Sequence, residues 1–212
     1  MDKELQSTAK YHIFRPYLNC FDQEDSFLIK ALQSEYLDSP SDQGYNLSVA
    51  SDENSLFGQF GQPDFLDKVI FKGKVKNGFF IEAGADDFET HTNTLLFETE
   101  HNWSGLLVEP HPISYKLGLA KHRKAWASPA CLATKPRPHM AVFSAKSSEG
   151  GMAGLVAGGD SDDHNIQCFP LFSLLMALGN TTVNYLSLDV EGAEFLVSLY
   201  NFSSGYFTSS RY

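Results

Sequence analysis

Three apolar stretches of this chain end in carboxylates. Phe79-Phe80-Ile81 runs into Glu82-Ala83-Gly84-Ala85-Asp86-Asp87, Gly105-Leu106-Leu107-Val108 into Glu109-Pro110, and Val183-Asn184-Tyr185-Leu186-Ser187-Leu188 into Asp189-Val190-Glu191-Gly192. Apolar runs of this length read as buried strands. If the strands are parallel, their carboxyl ends gather the acids at one edge of the sheet, where open α/β sheets bind ligands. Acids there can hold a pair of hydroxyls, attract a cation or accept a proton. Gly84 lets the backbone turn sharply and approach a ligand. Glu109 follows Glu82 by 27 residues (109 − 82), loosely the interval of about 20 at which a dinucleotide fold places its ribose acid.

The glycine pattern is not that of a pyrophosphate loop. Gly84 stands alone among Asp86, Asp87 and Phe88, and acids at that point repel phosphate. They suit a cofactor with a cationic, phosphate-free end, and S-adenosylmethionine has a sulfonium and an ammonium on one side and adenosine on the other. Glu109 is then the residue for the ribose hydroxyls, or else only a solvated strand end. Glu82 either touches the cofactor or only organises its loop. Asp86 either meets the methionine amine or merely tolerates the turn. Asp189 and Glu191 are the candidates for substrate contact or for a general base, and Glu191 alternatively serves a helix N-terminus, where negative charge is favourable. His91, His111 and His164 read as solvated loop residues, and Trp103 and Trp126 as packing. No Ser–His–Asp set and no metal-ligand spacing stands out.

The elements that would position these residues alternate in type. A helix is expected from Ser26 to about Tyr36, then a turn-rich linker over Asp38-Ser39-Pro40-Ser41-Asp42-Gln43-Gly44. Pro63 opens a helix to about Lys72 that Gly73 closes. Further helices are expected over Asn93–His101, from Pro112 to about Arg123, over Pro170–Leu178 and from Glu191 toward Tyr200. Ala125–Leu132 reads as an edge strand interrupted by Pro129, and His139–Ala145 as another strand. The segment 150–159 is Gly-rich and reads as a loop, either a lid or an insertion. Strand–helix alternation means α/β with a largely parallel sheet. The domain organisation expected is a tail, short helix and linker over 1–44, the α/β domain over 45–202 and an irregular tail over 203–212.

At 212 residues the chain can build a real core, and its 42% hydrophobic and 20% charged residues are ordinary for a soluble globule. A net charge of −10 argues against nucleic acid as a partner. No run of about 20 apolar residues encodes a membrane span, and the N-terminus has no apolar core of a signal peptide. Cys131 and Cys168 either pair in an oxidising compartment or remain buried thiols. Asn-x-Ser/Thr sequons stand at Asn46, Asn102, Asn180 and Asn201, which suggests a secretory history.

Several stretches together resemble the FkbM-type methyltransferase domain, and within it the invertebrate Star-like proteins. They are Gly78–Asp87, Asn93-Thr94-Leu95, Trp103–Pro110, Arg123-Lys124-Ala125-Trp126, Pro129-Ala130-Cys131-Leu132, Cys168-Phe169-Pro170-Leu171 and Tyr185–Glu194. They cover roughly Tyr36 to Leu199 in the family's order. The resemblance implies a Rossmann-like sheet of strand order 3-2-1-4-5-7-6, here expected to be incomplete at its C-terminus, with the fourth strand left as an unpaired edge. It implies S-adenosylmethionine as cofactor, held by Glu82, Gly84, Ala85, Asp86, Glu109 and Pro110. It implies O-methylation of a small-molecule or glycan hydroxyl, with Asp189 and Glu191 as catalytic candidates and no metal. The Star-like alternative implies a non-catalytic role in exporting membrane-bound growth-factor precursors, with a membrane-protein cargo as partner. Localisation follows as the secretory pathway by resemblance, or the cytoplasm if the chain is complete as given. Phe88 departs from the family, which has a second glycine there, and is expected to weaken the cofactor site.

Overall fold

The computed structural model describes residues 15–48, 58–144, 163–179 and 181–202. In chain order its helices are α1 (Arg15–Leu18), α2 (Ser26–Ala31), α3 (Gln62–Phe65), α4 (Leu95–His101), α5 (Pro112–Leu119), α6 (Leu171–Ala177) and α7 (Glu194–Phe202). The strands are β1 (Phe79–Ala83), β2 (Ser104–Val108), β3 (Trp126–Ser128), β4 (Cys131–Leu132), β5 (His139–Ser144), β6 (Asp163–Phe169) and β7 (Tyr185–Leu188). Wider π turns extend α2 over Leu32–Tyr36 and α3 over Leu66–Phe71, so both helices reach close to their expected ends. The chain divides into two compact units. One comprises 38–129 and 182–189, the other 1–37, 130–181 and 190–212. The Gly-rich 150–159 segment lies outside the described residues.

The first of these units is a parallel α/β sheet of order β3-β2-β1-β7. Phe79 pairs with Ser104 and Ala83 with Val108, while Phe80 faces Tyr185 and Ala83 faces Leu188 across the other side of β1. Every residue of β1 is buried. A central parallel strand is covered on both faces, so a continuous apolar run is what it needs. An aromatic layer packs against it. Phe97 of α4 lies 4.9 Å from Trp103 and 5.5 Å from Tyr185. Burying each such ring contributes roughly 1.5–3 kcal/mol. The outer side of β3 is not bare, because Asp38 bridges it antiparallel: Asp38 N–H donates to the Ala127 carbonyl at 2.8 Å and Ala127 N–H returns the bond at 3.0 Å.

Among the described residues β7 pairs with β1 alone, as an edge strand does. It is not buried on both faces as its apolar run suggested. Only Ser187 is buried, and Tyr185, Leu186 and Leu188 are half-covered. A groove of about 620 Å³ runs beside it, walled by Phe60, Gly61, Gln62, Phe65 and Leu66.

The second unit carries a separate sheet of order β4-β6-β5, with β4 parallel and β5 antiparallel to β6. The single strand expected over Ala125–Leu132 is therefore two strands in two sheets, parted at Pro129, where the ring removes the N–H that a continuing ladder needs. Cys131 and Cys168 face each other in register on β4 and β6 and are joined as a disulfide. Closing a loop of 37 residues is worth about 3–4 kcal/mol in the chain-entropy model. Tyr36 packs edge-on to Phe169 with ring centroids 4.6 Å apart, and Ser173 Oγ donates to the Gln23 carbonyl at 2.7 Å.

Candidate functional site

The loop from Gly84 to Thr94 connects β1 to α4, and its backbone is unusual. Gly84 has φ 80°, and Asp86, Phe88 and His91 adopt φ of 44°, 63° and 58°. A non-glycine residue in the left-handed region costs roughly 1–2 kcal/mol, so three of them persist only where the surroundings hold them. Four side chains do so. Glu109, just past β2, accepts from Asp86 N–H at 2.8 Å through Oε2 and from His111 N–H at 2.7 Å through Oε1. Asp87 accepts from the N–H groups of Glu89 and Thr90 at 3.0 and 2.6 Å and from the Thr90 hydroxyl at 2.9 Å. Glu82 accepts from Asn93 N–H at 2.6 Å and from the hydroxyls of Thr92 and Thr94 at 2.8 and 2.5 Å. Arg123 donates to the Phe88 carbonyl at 2.6 Å and to the Thr94 hydroxyl at 3.1 Å.

Arg123 is only 4% exposed and its Nε forms a 2.9 Å pair with Glu98, whose other oxygen takes the Lys124 N–H at 2.6 Å. Neither Arg123 nor Glu98 was a sequence candidate, and neither were Thr92 and Thr94. Arg123 meets Glu98 and Thr94 at separations of 25 and 29 residues, and Thr92 and Thr94 meet Glu82 at 10 and 12, pairings that periodicity does not reveal.

Burial governs the charge of both strand-end glutamates. In Glu82 desolvation raises the pKa, and Arg123 and the Thr94, Asn93 and Thr92 donors offset only part of that. The Glu109 pKa is lifted to about 7, chiefly by desolvation and also by the Asp86 charge, against the pull of the His111 and Asp86 N–H groups. Glu109 is thus an acid poised between its two forms near neutrality, the condition in which a carboxyl group can serve as donor or acceptor. Asp87 behaves otherwise: burial alone would raise its pKa, but the Thr90 and Glu89 donors outweigh it and hold it low.

The structure brings Gly84, Ala85, Asp86, Glu109 and Asp189 together at the carboxyl ends of β1, β2 and β7. Gly84 and Ala85 both donate to the Val108 carbonyl, at 3.0 and 3.3 Å, and Asp189 N–H donates to Ala83 at 3.0 Å. Pro110 follows Glu109, half-covered, on the turn into α5. Glu82 takes the loop-organising role left open for it: it is 3% exposed and both its oxygens are occupied. Glu191 falls in the other unit, exposed and with φ 55°. The helix after it starts at Glu194, and it is Glu194 that accepts from Val190 N–H at 2.9 Å and Gly192 N–H at 3.0 Å. The Glu194 carboxylate thus braces the turn that leads into this helix.

Phe88 also needs correction. Its ring is not turned toward a ligand but buried at 1% exposure, edge-on to Tyr115 at 5.7 Å. A Cβ on Gly118 of α5 would lie 2.5 Å from that ring, so the glycine makes room for the phenylalanine. Phe88→Ala should cost about 3–5 kcal/mol in urea unfolding, the usual range for an emptied aromatic site. A loss below about 1 kcal/mol would show that the ring is not a core element. Glycine there would relax the backbone, but the packing loss is several times larger.

The methyltransferase FkbM domain matches residues 82–197, more than half of the 212-residue chain. The chain belongs to the FkbM methyltransferase family. Its four-stranded parallel sheet agrees with the Rossmann-like fold of such enzymes, and the match begins at Glu82, inside β1, and ends at Val197, inside α7. No curated protein and no solved structure matches the chain. The comparisons identify the FkbM family and carry no support for the Star-like subgroup. Among the described residues no helix is long and apolar enough to cross a membrane, and no group of three or more His, Cys, Asp and Glu side chains is placed to hold a metal.

The donor set of this FkbM chain fits S-adenosylmethionine. Asp86 and Asp189 present negative charge beside a backbone that comes close at Gly84. Glu109, 4% exposed, keeps lone pairs beyond the two that it gives to backbone N–H groups.

Proposed function

We propose that this chain is an S-adenosylmethionine-dependent O-methyltransferase acting on a small-molecule or glycan hydroxyl. The observation that carries the reading is the bond from Asp86 N–H to Glu109, which ties the β1 loop to the end of β2 and preorganises the acids around one place. When bound, the cofactor supplies a methyl group already activated on a sulfonium. The protein's part is then mostly alignment of the acceptor. Glu109 is assigned to the ribose hydroxyls, Gly84, Ala85 and Pro110 to close backbone contact, Glu82 to the loop beneath, and Asp86 to the cationic end. Asp189, exposed just past β7, is the candidate to take the proton of the acceptor hydroxyl. The Cys131–Cys168 disulfide supports placing the protein in the secretory pathway, since such bonds persist in oxidising compartments.

A non-catalytic, Star-like role in exporting membrane-bound growth-factor precursors is the second reading. It is favoured by one observation: the oxygens of Glu82 and Glu109 all have protein donors, so these acids have structural work without a cofactor.

Calorimetry with S-adenosylmethionine separates the two. The first reading expects binding that Glu109→Gln weakens roughly 30–150-fold, for the loss of about 2–3 kcal/mol of charge-assisted hydrogen bonding. Unchanged affinity in the variant sinks the ribose assignment, and no binding by the parent chain sinks the enzyme reading. The same variant reports on stability. Glu109 has a raised folded pKa, so it binds its proton more tightly in the folded chain than in the unfolded one. Its contribution is complete below about pH 4.5 and is lost as pH rises through about 7, amounting to about 3 kcal/mol. Urea unfolding at pH 5 and pH 8 should show that difference shrinking in Glu109→Gln. An identical pH slope in parent and variant would mean the carboxyl is not held as described.

A further inference from the structure

We propose that Asn46 is an N-glycosylation acceptor. The sequon Asn46-Leu47-Ser48 lies in a stretch free of helix and strand, with Asn46 and Ser48 both exposed. The stretch is nevertheless fixed. Asn46 N–H donates to the Lys121 carbonyl at 3.0 Å, its Nδ2 donates to the Ala120 carbonyl at 3.0 Å, and Lys121 Nζ reaches Ser48 Oγ at 3.2 Å. An asparagine amide has two hydrogens, and one bond to Ala120 uses one of them. The other can be exchanged for a sugar without disturbing this surface.

An accessible sequon is modified only in a compartment that holds the transferase, and the second observation speaks to that. Cys131 and Cys168 form a disulfide between paired strands, the covalent mark of an oxidising lumen. The other sequons are built differently. Asn102 precedes the buried Trp103 and the first residue of β2, Asn201 lies within α7, and Asn180 is outside the described residues. In the transfer, the Asn46 amide nitrogen bonds to the anomeric carbon of a polyprenyl-diphosphate-linked oligosaccharide. The carbon–oxygen bond to the diphosphate breaks, the lipid diphosphate leaves, and the amide proton is lost to the transferase. The proposal is independent of methyl transfer.

The test is to direct the full chain into the endoplasmic reticulum of a eukaryotic host and treat the product with a glycan-releasing amidase. That enzyme converts a glycosylated asparagine to aspartate, which peptide mass spectrometry locates. The expected result is aspartate at position 46 in the parent chain, and none at that position in Ser48→Ala, which keeps the Asn46 side chain and its bond to Ala120. Because the glycan is added to the nascent chain, the result does not depend on how well the variant folds. An unmodified position 46 in the parent, or modification that persists in Ser48→Ala, overturns the proposal.

Discussion

Gly84→Ala is expected to leave little folded protein, with a loss of more than about 4 kcal/mol. β1 leaves the sheet at this residue with φ 80°, and an added Cβ would lie 1.9 Å from the Asp189 carbonyl oxygen. That oxygen is backbone just past β7, held there by the Asp189 N–H bond to Ala83, so it has no rotamer by which to give way. Gly61→Ala supplies the control. Its φ is 67°, close to that of Gly84, but an added Cβ there meets nothing within 4 Å. The control should cost only the conformational penalty of about 1 kcal/mol. Equal losses in urea unfolding of the two variants would mean that the close approach of β1 and β7 does not decide this position. In the folded chain the atom nearest the position of that added Cβ is the Asp189 carbonyl oxygen.

Arg123→Met should cost about 3–5 kcal/mol, because it leaves Glu98 as an uncompensated charge at 4% exposure. It also strips the Phe88 carbonyl and the Thr94 hydroxyl of a donor, loosening the loop at two points. The companion substitution Glu98→Gln removes the stranded charge while keeping an oxygen for the Lys124 N–H. The double variant should therefore lose less than the sum of the two single losses, by about 1–3 kcal/mol of coupling. Strict additivity would show that the pair is not the source of the loss. Glu82 adds a second signature. Arg123 lowers its pKa, so without the arginine that pKa rises further, and the stability lost as pH rises past the ordinary carboxyl range grows.

Much of the framework was legible from residue order. β1, β2 and β7 are short, mostly apolar runs between polar turns, and β1 and β2 leave that trace because they are covered along nearly all their length, whereas β7 is only half-covered. The helices beginning near Pro63 and Pro112 were legible for a local reason too, since proline's fixed φ suits the first turn. The gathering of Glu109, Asp86 and Gly84 followed from strand ends alone. β6 was missed: Asp-His-Asn-Ile-Gln-Cys-Phe has no clean alternation, and its place is set by pairing with β4 and β5.

By itself the sequence determined the α/β class, the parallel sheet and the acids at its carboxyl edge, because those depend on periodicity and on which residue ends a run. Tertiary structure alone decided what each polar group meets. It turned Phe88 into the core against Gly118, set Arg123 among Glu98, Thr94 and the Phe88 carbonyl, and brought the Glu194 carboxylate onto the Val190 N–H. It also joined Cys131 to Cys168. The physical reason is common to most of these. A buried polar or aromatic group is placed by partners that satisfy its hydrogen bonds and fill its volume. For Phe88, Arg123 and the two cysteines those partners come from other elements, 25 to 37 residues away along the chain.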